Sequence, residues 1–240
     1  MESYKDFSKR IKELSPHTTF GFYDDFIPNN ANNRKINSDN TFRDFYGDTV
    51  AFDLADEEKS EIKSIASPLY EYFGECFAER INPETYHVTL HDLCSDNNLS
   101  SIADRMADNE RSIKDLQKGC RYTQNIVVES TFVFNMVGCS IVLGFTPKEE
   151  TGYRGLIYLK QIFQTIYPID YPLTPHVTLA YFSQNGIDSS KRAALYKLLV
   201  SLSTKSVILS LNTDRLLYQK FRNMNHYYNT FKIGIHNAFV

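Results

Sequence analysis

Positive charge is the first thing this 240-residue chain lacks in excess: 26 lysines and arginines face 29 aspartates and glutamates, for a formal net charge of −3. Proteins that coat long nucleic acid draw their affinity from a basic field that neutralises phosphates, so that class is excluded and a small or local ligand is expected. No apolar run approaches the ~20 residues of a membrane-spanning helix, and the opening Met1-Glu2-Ser3-Tyr4-Lys5-Asp6 has no apolar signal-peptide core. A cytoplasmic protein away from membranes is expected. The four cysteines, Cys76, Cys94, Cys120 and Cys139, show no Cys-x-x-Cys spacing, which argues against a zinc site or a disulfide scaffold and leaves them as buried free thiols. No Gly-x-x-x-x-Gly-Lys-[Ser/Thr] occurs, so nucleotide-driven ligation has no phosphate loop to use.

What is present is enough apolar matter for a sizeable core, 42% hydrophobic and 14% aromatic, in one large domain or two lobes. Tyr4, Phe7, Ile11 and Leu14 recur at helical spacing and give a short amphipathic first helix. Periodicity then fails from Ser15 to Gly47, where Pro28-Asn29-Asn30-Ala31-Asn32-Asn33 is dense in turn-formers. A long covering loop is expected there, carrying Arg34, Lys35 and Arg43 toward any anionic ligand, with Arg43 taken as a substrate-binding candidate. Gly47 to Leu54 reads as a strand, and Ile62, Ile65, Ala66, Leu69, Phe73 and Phe77 as a helix stripe, with a kink or restart expected at Pro68. Tyr86 to Leu93 is a strand. A helix marked by Leu99, Ile102, Met106, Ile113 and Leu116 follows, then a strand near Ile126 to Phe134.

At this point the order begins again. Gly138-Cys139-Ser140-Ile141 echoes Gly47-Asp48-Thr49-Val50, offset by 91, and His176 echoes His87, offset by 89. Thr146-Pro147-Lys148-Glu149 reads as a capping box with proline at the first helical position, opening a helix lined by Tyr153, Leu156, Ile157 and Phe163. A second motif strand and a helix through Leu195, Leu198, Leu199 and Leu202 follow, and two strands, Ser206 to Tyr218 and His226 to Ile235, end the chain. The expected fold is α+β: two pseudo-symmetric lobes, each an antiparallel sheet with helices outside, and a cleft between the sheets. Residues 1–46 form an extension and 47–240 the bilobal domain, divided near 47–135 and 138–240.

The chemistry lies in the duplicated tetrapeptide, His87-Val88-Thr89-Leu90 and His176-Val177-Thr178-Leu179. In a strand side chains alternate faces, so each His-x-Thr sets an imidazole and a hydroxyl on one face while Val and Leu point into a core. One such pair is ordinary strand surface; two at matching places in a repeat converge on one small ligand. Imidazole titrates near neutral pH, so one histidine can deprotonate an attacking hydroxyl or water while the other protonates the departing oxygen of a phosphodiester. Thr89 and Thr178 would hold the non-bridging oxygens, with help from amides or a basic side chain. His87 and His91 have His-x-x-x-His metal spacing, but in a strand they stand about 13 Å apart, which disfavours a shared metal. By alternation His91 and Phe182 share the cleft face, His91 to touch substrate and Phe182 to stack on a base. Tyr228 and Lys232 share a face of the last strand, Tyr228 being a further substrate-binding candidate, and His17, His226 and His236 show no partner in the sequence.

Paired His-x-[Thr/Ser]-hydrophobic motifs in the halves of a duplicated α+β chain resemble the 2H phosphoesterase superfamily, which includes RNA 2′,3′-cyclic phosphodiesterases and 2′,5′-RNA ligase-like proteins. The resemblance runs from about Gly47 to the C-terminus, and Lys35 to Val50 resembles an N-terminally extended branch of that superfamily. It implies that His87 and His176 are the acid/base pair, that Thr89 and Thr178 bind phosphate, and that no metal or cofactor is needed. The expected substrate is a 2′,3′-cyclic phosphate or a short RNA or oligonucleotide phosphodiester, and a monomer is expected. A nucleotide- or RNA-end-binding module that has lost useful catalysis, and 2′-5′ ligation, are the alternatives.

Overall fold

The computed structural model describes residues 2–19, 28–117 and 125–233. Its strands are β1 (Tyr46–Asp53), β2 (His87–Asp96), β3 (Asn125–Met136), β4 (Ser140–Pro147), β5 (His176–Tyr181), β6 (Ile208–Asn212), β7 (Leu216–Asn223) and β8 (His226–Lys232). Its helices are α1 (Tyr4–Glu13), the single turn α2 (Pro16–Thr19), α3 (Asp56–Phe73), α4 (Leu99–Gln117), α5 (Glu150–Gln164) and α6 (Ser189–Leu202). Two four-stranded antiparallel sheets result, in the orders β2-β1-β7-β8 and β5-β4-β3-β6. The architecture is the α+β, two-lobed one expected. One apolar cluster, from Phe52 and Leu90 in the first sheet to Leu143 and Leu179 in the second, runs through both lobes.

Strand order departs from chain order in a symmetric way. β3 follows the first motif strand in the chain yet pairs with β4 and β6 in the second sheet, while β7 returns to lie beside β1. Each lobe's third strand thus belongs to the other half of the sequence. The return explains why the expected strand from Ser206 to Tyr218 is two strands: a 3-10 turn at Thr213–Arg215, capped by the Asn212 side chain, carries the chain from one sheet to the other.

Helix α1 begins at Ser3, whose hydroxyl accepts from the Asp6 amide, and buries Phe7 and Ile11 against Tyr153 of α5. Burying two such side chains contributes about 1.5–3 kcal/mol each, which holds the helix to the body. Helix α3 runs uninterrupted through Pro68, so the restart expected there does not occur. Its apolar stripe, Ile62, Ile65, Ala66, Leu69 and Phe73, is buried on both sides of the proline, and the Ser67 hydroxyl occupies the Lys63 carbonyl at 2.9 Å. The capping box expected at Thr146 is not formed either. Thr146 and Pro147 are still in β4, opposite Glu129 and Val128, and α5 starts only at Glu150. Cys76 and Cys94 are buried free thiols and Cys139 a half-buried one, whereas Cys120 lies outside the described residues, as do His236 and Ile235.

Candidate active site

The two motif strands are edge strands, each paired along one side only, and their ladders repeat each other rung for rung. His87 faces Asp53, Val88 faces Phe52 and Thr89 faces Ala51; in the other lobe His176 faces Gly144, Val177 faces Leu143 and Thr178 faces Val142. These are the sequence echoes themselves, offset by 91 in the inner strand and 89 in the motif strand. Each motif strand then carries one extra residue, Leu90 or Leu179, as a bulge. A bulge turns every later side chain to the opposite face. His91 therefore joins Val50, Phe52 and Val88 in the core, and Asp92, opposite Thr49, takes the face of His87 and Thr89. In the second lobe Ala180 turns inward and Tyr181, opposite Ser140, takes the matching place.

Both histidines are held in the same way. Each Nδ1 lies 2.7 Å from the backbone carbonyl two residues earlier, Thr85 for His87 and Thr174 for His176. A carbonyl only accepts, so Nδ1 carries the proton in both rings and Nε2 is the nitrogen free to exchange one. The supports are built locally. Thr85 ends a 3-10 turn, Pro83–Thr85, capped by Asn82, and Thr174 is fixed by Arg10 of α1, which donates to its hydroxyl (3.0 Å) and to the Leu173 carbonyl (2.9 Å). Opposite His176, Gly144 cannot be larger, because a Cβ there would stand 2.7 Å from the Phe134 ring. Burial pushes both imidazoles below their ordinary value; the carbonyl bonds and the Asp92 carboxylate oppose this, and the charge of His176 further lowers His87.

His87, Thr89, His176 and Thr178 line one cleft of about 410 Å³. Among the described residues no protein group takes up either threonine hydroxyl. Tyr86, Tyr167, Tyr171, Tyr181 and Tyr227 give the walls their aromatic character, and the Tyr227 ring packs 4.8 Å from that of His87. One strap crosses both lobes. Residues 28–45 are tied to the second lobe by Asn32 (Nδ2 to the Phe182 carbonyl, 2.6 Å) and by Gln184 (Nε2 to the Ile36 carbonyl, 2.7 Å). They are tied to the first lobe by Asn97, which donates to the Arg34 and Asp44 carbonyls, and by the Phe45 amide on the Arg222 carbonyl. The strap sets Lys35 in the cleft. Two imidazoles with free Nε2 atoms, two hydroxyls and an ammonium around one cavity can carry out acid/base chemistry on an anionic centre. Among the described residues no group of three or more histidines, cysteines and carboxylates is placed to share a metal ion.

Four of the expected substrate contacts lie elsewhere. His91 is 1% exposed, its Nε2 on the Tyr167 carbonyl at 2.7 Å, because the Leu90 bulge turns it inward. Phe182 is fully buried and stacks on Phe77, with centroids 5.6 Å apart, where an isolated bridge joins the two residues. Arg43 is exposed and reaches only toward the Asn33 carbonyl; Lys35, eight residues earlier, faces the cleft in its place. Tyr228 is 56% exposed, while Tyr227, paired with Phe221, is the residue turned to the cleft. His226 is exposed, with Nδ1 2.8 Å from Asn223 Oδ1. Asp92 and Tyr181 are not legible in the sequence because the bulges at Leu90 and Leu179 leave no mark in a pattern of alternation.

No protein-family model matches this sequence, and no curated protein does. Solved structures do. A conserved protein of unknown function from Agrobacterium tumefaciens aligns over 94% of this chain and 99% of its own, at 12% identity and a TM-score of 0.69. The two chains share one fold. Escherichia coli LigT in complex with 3′-AMP aligns over 78% of this chain and 96% of its own, at 14% identity and a TM-score of 0.46, and its complex with NADP+ gives 0.42 over the same shares. At 12% identity the Agrobacterium structure shows a shared fold alone, and the chemistry rests on this chain's own residues.

Proposed function

We propose that this chain is a phosphodiesterase in which His87 and His176 act as general acid and base and Thr89 and Thr178 hold the phosphoryl oxygens. The substrate is a nucleotide 2′,3′-cyclic phosphate or a short RNA or oligonucleotide phosphodiester. The observation that carries the reading is the matched pair of Nδ1-to-carbonyl bonds at 2.7 Å, which leaves each histidine one exchangeable nitrogen beside a threonine hydroxyl in the same cleft. The resemblance of the paired His-x-Thr motifs to the 2H phosphoesterases supports the same conclusion.

In hydrolysis of a cyclic phosphate, the neutral histidine takes a proton from water as its oxygen bonds to phosphorus. The protonated histidine gives its proton to the ribose oxygen as the phosphorus–oxygen bond to it breaks. One proton is taken and one delivered, so the pair ends with its protonation exchanged and resets through solvent. Negative charge that builds on the non-bridging oxygens meets the two hydroxyls and Lys35. The test is incubation of the purified protein, in chelator, with nucleoside 2′,3′-cyclic phosphates and with 2′-5′ and 3′-5′ oligonucleotides. Turnover of at least one is expected, and inertness toward all of them rejects the proposal.

A further inference from the structure

At the rung of Asp92 and Tyr181 the two lobes differ in charge. Asp92 stands opposite Thr49 and Tyr181 opposite Ser140, the same place in the two ladders. The first lobe puts an exposed carboxylate there. In the second, the Lys35 ammonium lies 5.2 Å from the centroid of the tyrosine ring and 5.5 Å from that of Phe45. Lys35 is the one lysine or arginine among the described cleft-lining residues, and no carboxylate among the described residues pairs with it. Asp92 has one oxygen on the Tyr171 phenol, which donates at 2.6 Å, and no group among the described residues takes up its other oxygen. The second carboxylate of the lining, Asp48, is 2% exposed and already accepts from Tyr218, Asn109 and the Cys94 amide. The cleft therefore has a cationic flank supplied from outside the repeats and an anionic flank supplied by a bulge.

We propose that this polarity selects the substrate: Lys35 binds the non-bridging oxygens of a single phosphodiester, while Asp92 accepts a hydrogen from a hydroxyl or amino group on one flank and turns away a phosphate placed there. The inference rests on the phosphodiester reading of the same cleft and narrows it to monoanionic diesters with an uncharged, hydrogen-donating group on the Asp92 side. A polyphosphate, or an oligonucleotide whose terminal phosphate reaches that flank, is disfavoured. A full charge a few ångströms away, at an effective dielectric of about 20, changes affinity by about tenfold or more, which is enough to discriminate.

The test is calorimetric binding of three probes, the dinucleotide ApA and its forms with an added 5′-phosphate (pApA) or 3′-phosphate (ApAp). Wild type, Lys35→Met, Lys35→Arg and Asp92→Asn are compared, each checked for fold by circular dichroism. In wild type one of the two phosphorylated probes should bind about tenfold worse than the other. Asp92→Asn, which keeps an oxygen for Tyr171, should erase most of that ratio. Lys35→Met should weaken all three probes alike by about tenfold, and Lys35→Arg should recover part of the loss. An unchanged ratio in Asp92→Asn, wild-type affinity in Lys35→Met, or no binding of any probe overturns the inference. If the ratios move as expected but no diester is ever cleaved, the phosphodiesterase reading fails and the charge selection stands. If diesters are cleaved and the ratios stay where they are, the charge selection fails and the phosphodiesterase reading stands.

Discussion

The bulge at Leu90 makes a prediction about two adjacent residues that an unbroken strand would reverse. His91→Ala removes a ring that is 1% exposed, breaks its bond to the Tyr167 carbonyl and empties the space beside Phe163, whose ring centroid lies 6.4 Å away. The stranded carbonyl costs about 1–3 kcal/mol, and the truncated ring adds a similar amount. Against this, the buried Nδ1 has no partner among the described residues, so removing it recovers part of the loss. A net destabilisation of about 2–4 kcal/mol is expected in urea unfolding. Burial also holds His91 below its ordinary pKa, so its stabilising effect is present above about pH 6.5 and lost as pH falls through the depressed folded value. Its removal should flatten part of the acid-side loss of stability. Asp92→Ala should do the opposite, changing stability by less than about 1 kcal/mol, since the residue is exposed, while altering ligand binding. If His91→Ala unfolded like wild type and Asp92→Ala were the destabilised protein, the register would be wrong and His91 would belong to the cleft.

Asp48→Ala should cost about 3–5 kcal/mol in chemical denaturation, because it strands the buried Asn109 and Cys94 amides without their acceptor and leaves the Tyr218 hydroxyl only the Met106 carbonyl at 3.2 Å. Thr89→Ala and Thr178→Ala should each lower kcat/KM by about tenfold on a cyclic phosphate and leave the pH profile in place, because neither hydroxyl titrates. The kcat/KM profile itself should be bell-shaped and centred on the acid side of about 6.5, since burial depresses both catalytic histidines. A profile centred above about 7 would contradict that burial.

The lobes, the order of most elements and the four motif residues were legible because each rests on a short-range regularity: helical periodicity in α1, α4 and α6, strand alternation up to Thr89, and an echo at near-constant offset. What was not legible depends on pairing. Alternation places His91 in the cleft, and only the partner strand shows that Leu90 is supernumerary. Pro68 signals a restart, yet the apolar stripe continues across it, and its burial on both sides carries α3 through. Phe182 reads as a strand-end aromatic, but its bridge to Phe77, more than a hundred residues away, packs it shut. The three basic residues of the strap look alike in sequence; the ties at Asn32 and Gln184 decide that Lys35 faces the cleft and Arg43 does not.

The two histidines themselves bear the central claim. Turnover of a nucleoside 2′,3′-cyclic phosphate, in chelator, is to be measured for wild type, His87→Ala, His176→Ala and the double variant, all checked for fold by circular dichroism. Each single variant should fall by about 10²-fold or more, and the double variant should fall far less than the product of the two, because the pair works as one unit. Near-wild-type turnover in either folded single variant would contradict the two-histidine mechanism, whatever else the protein proved able to cleave.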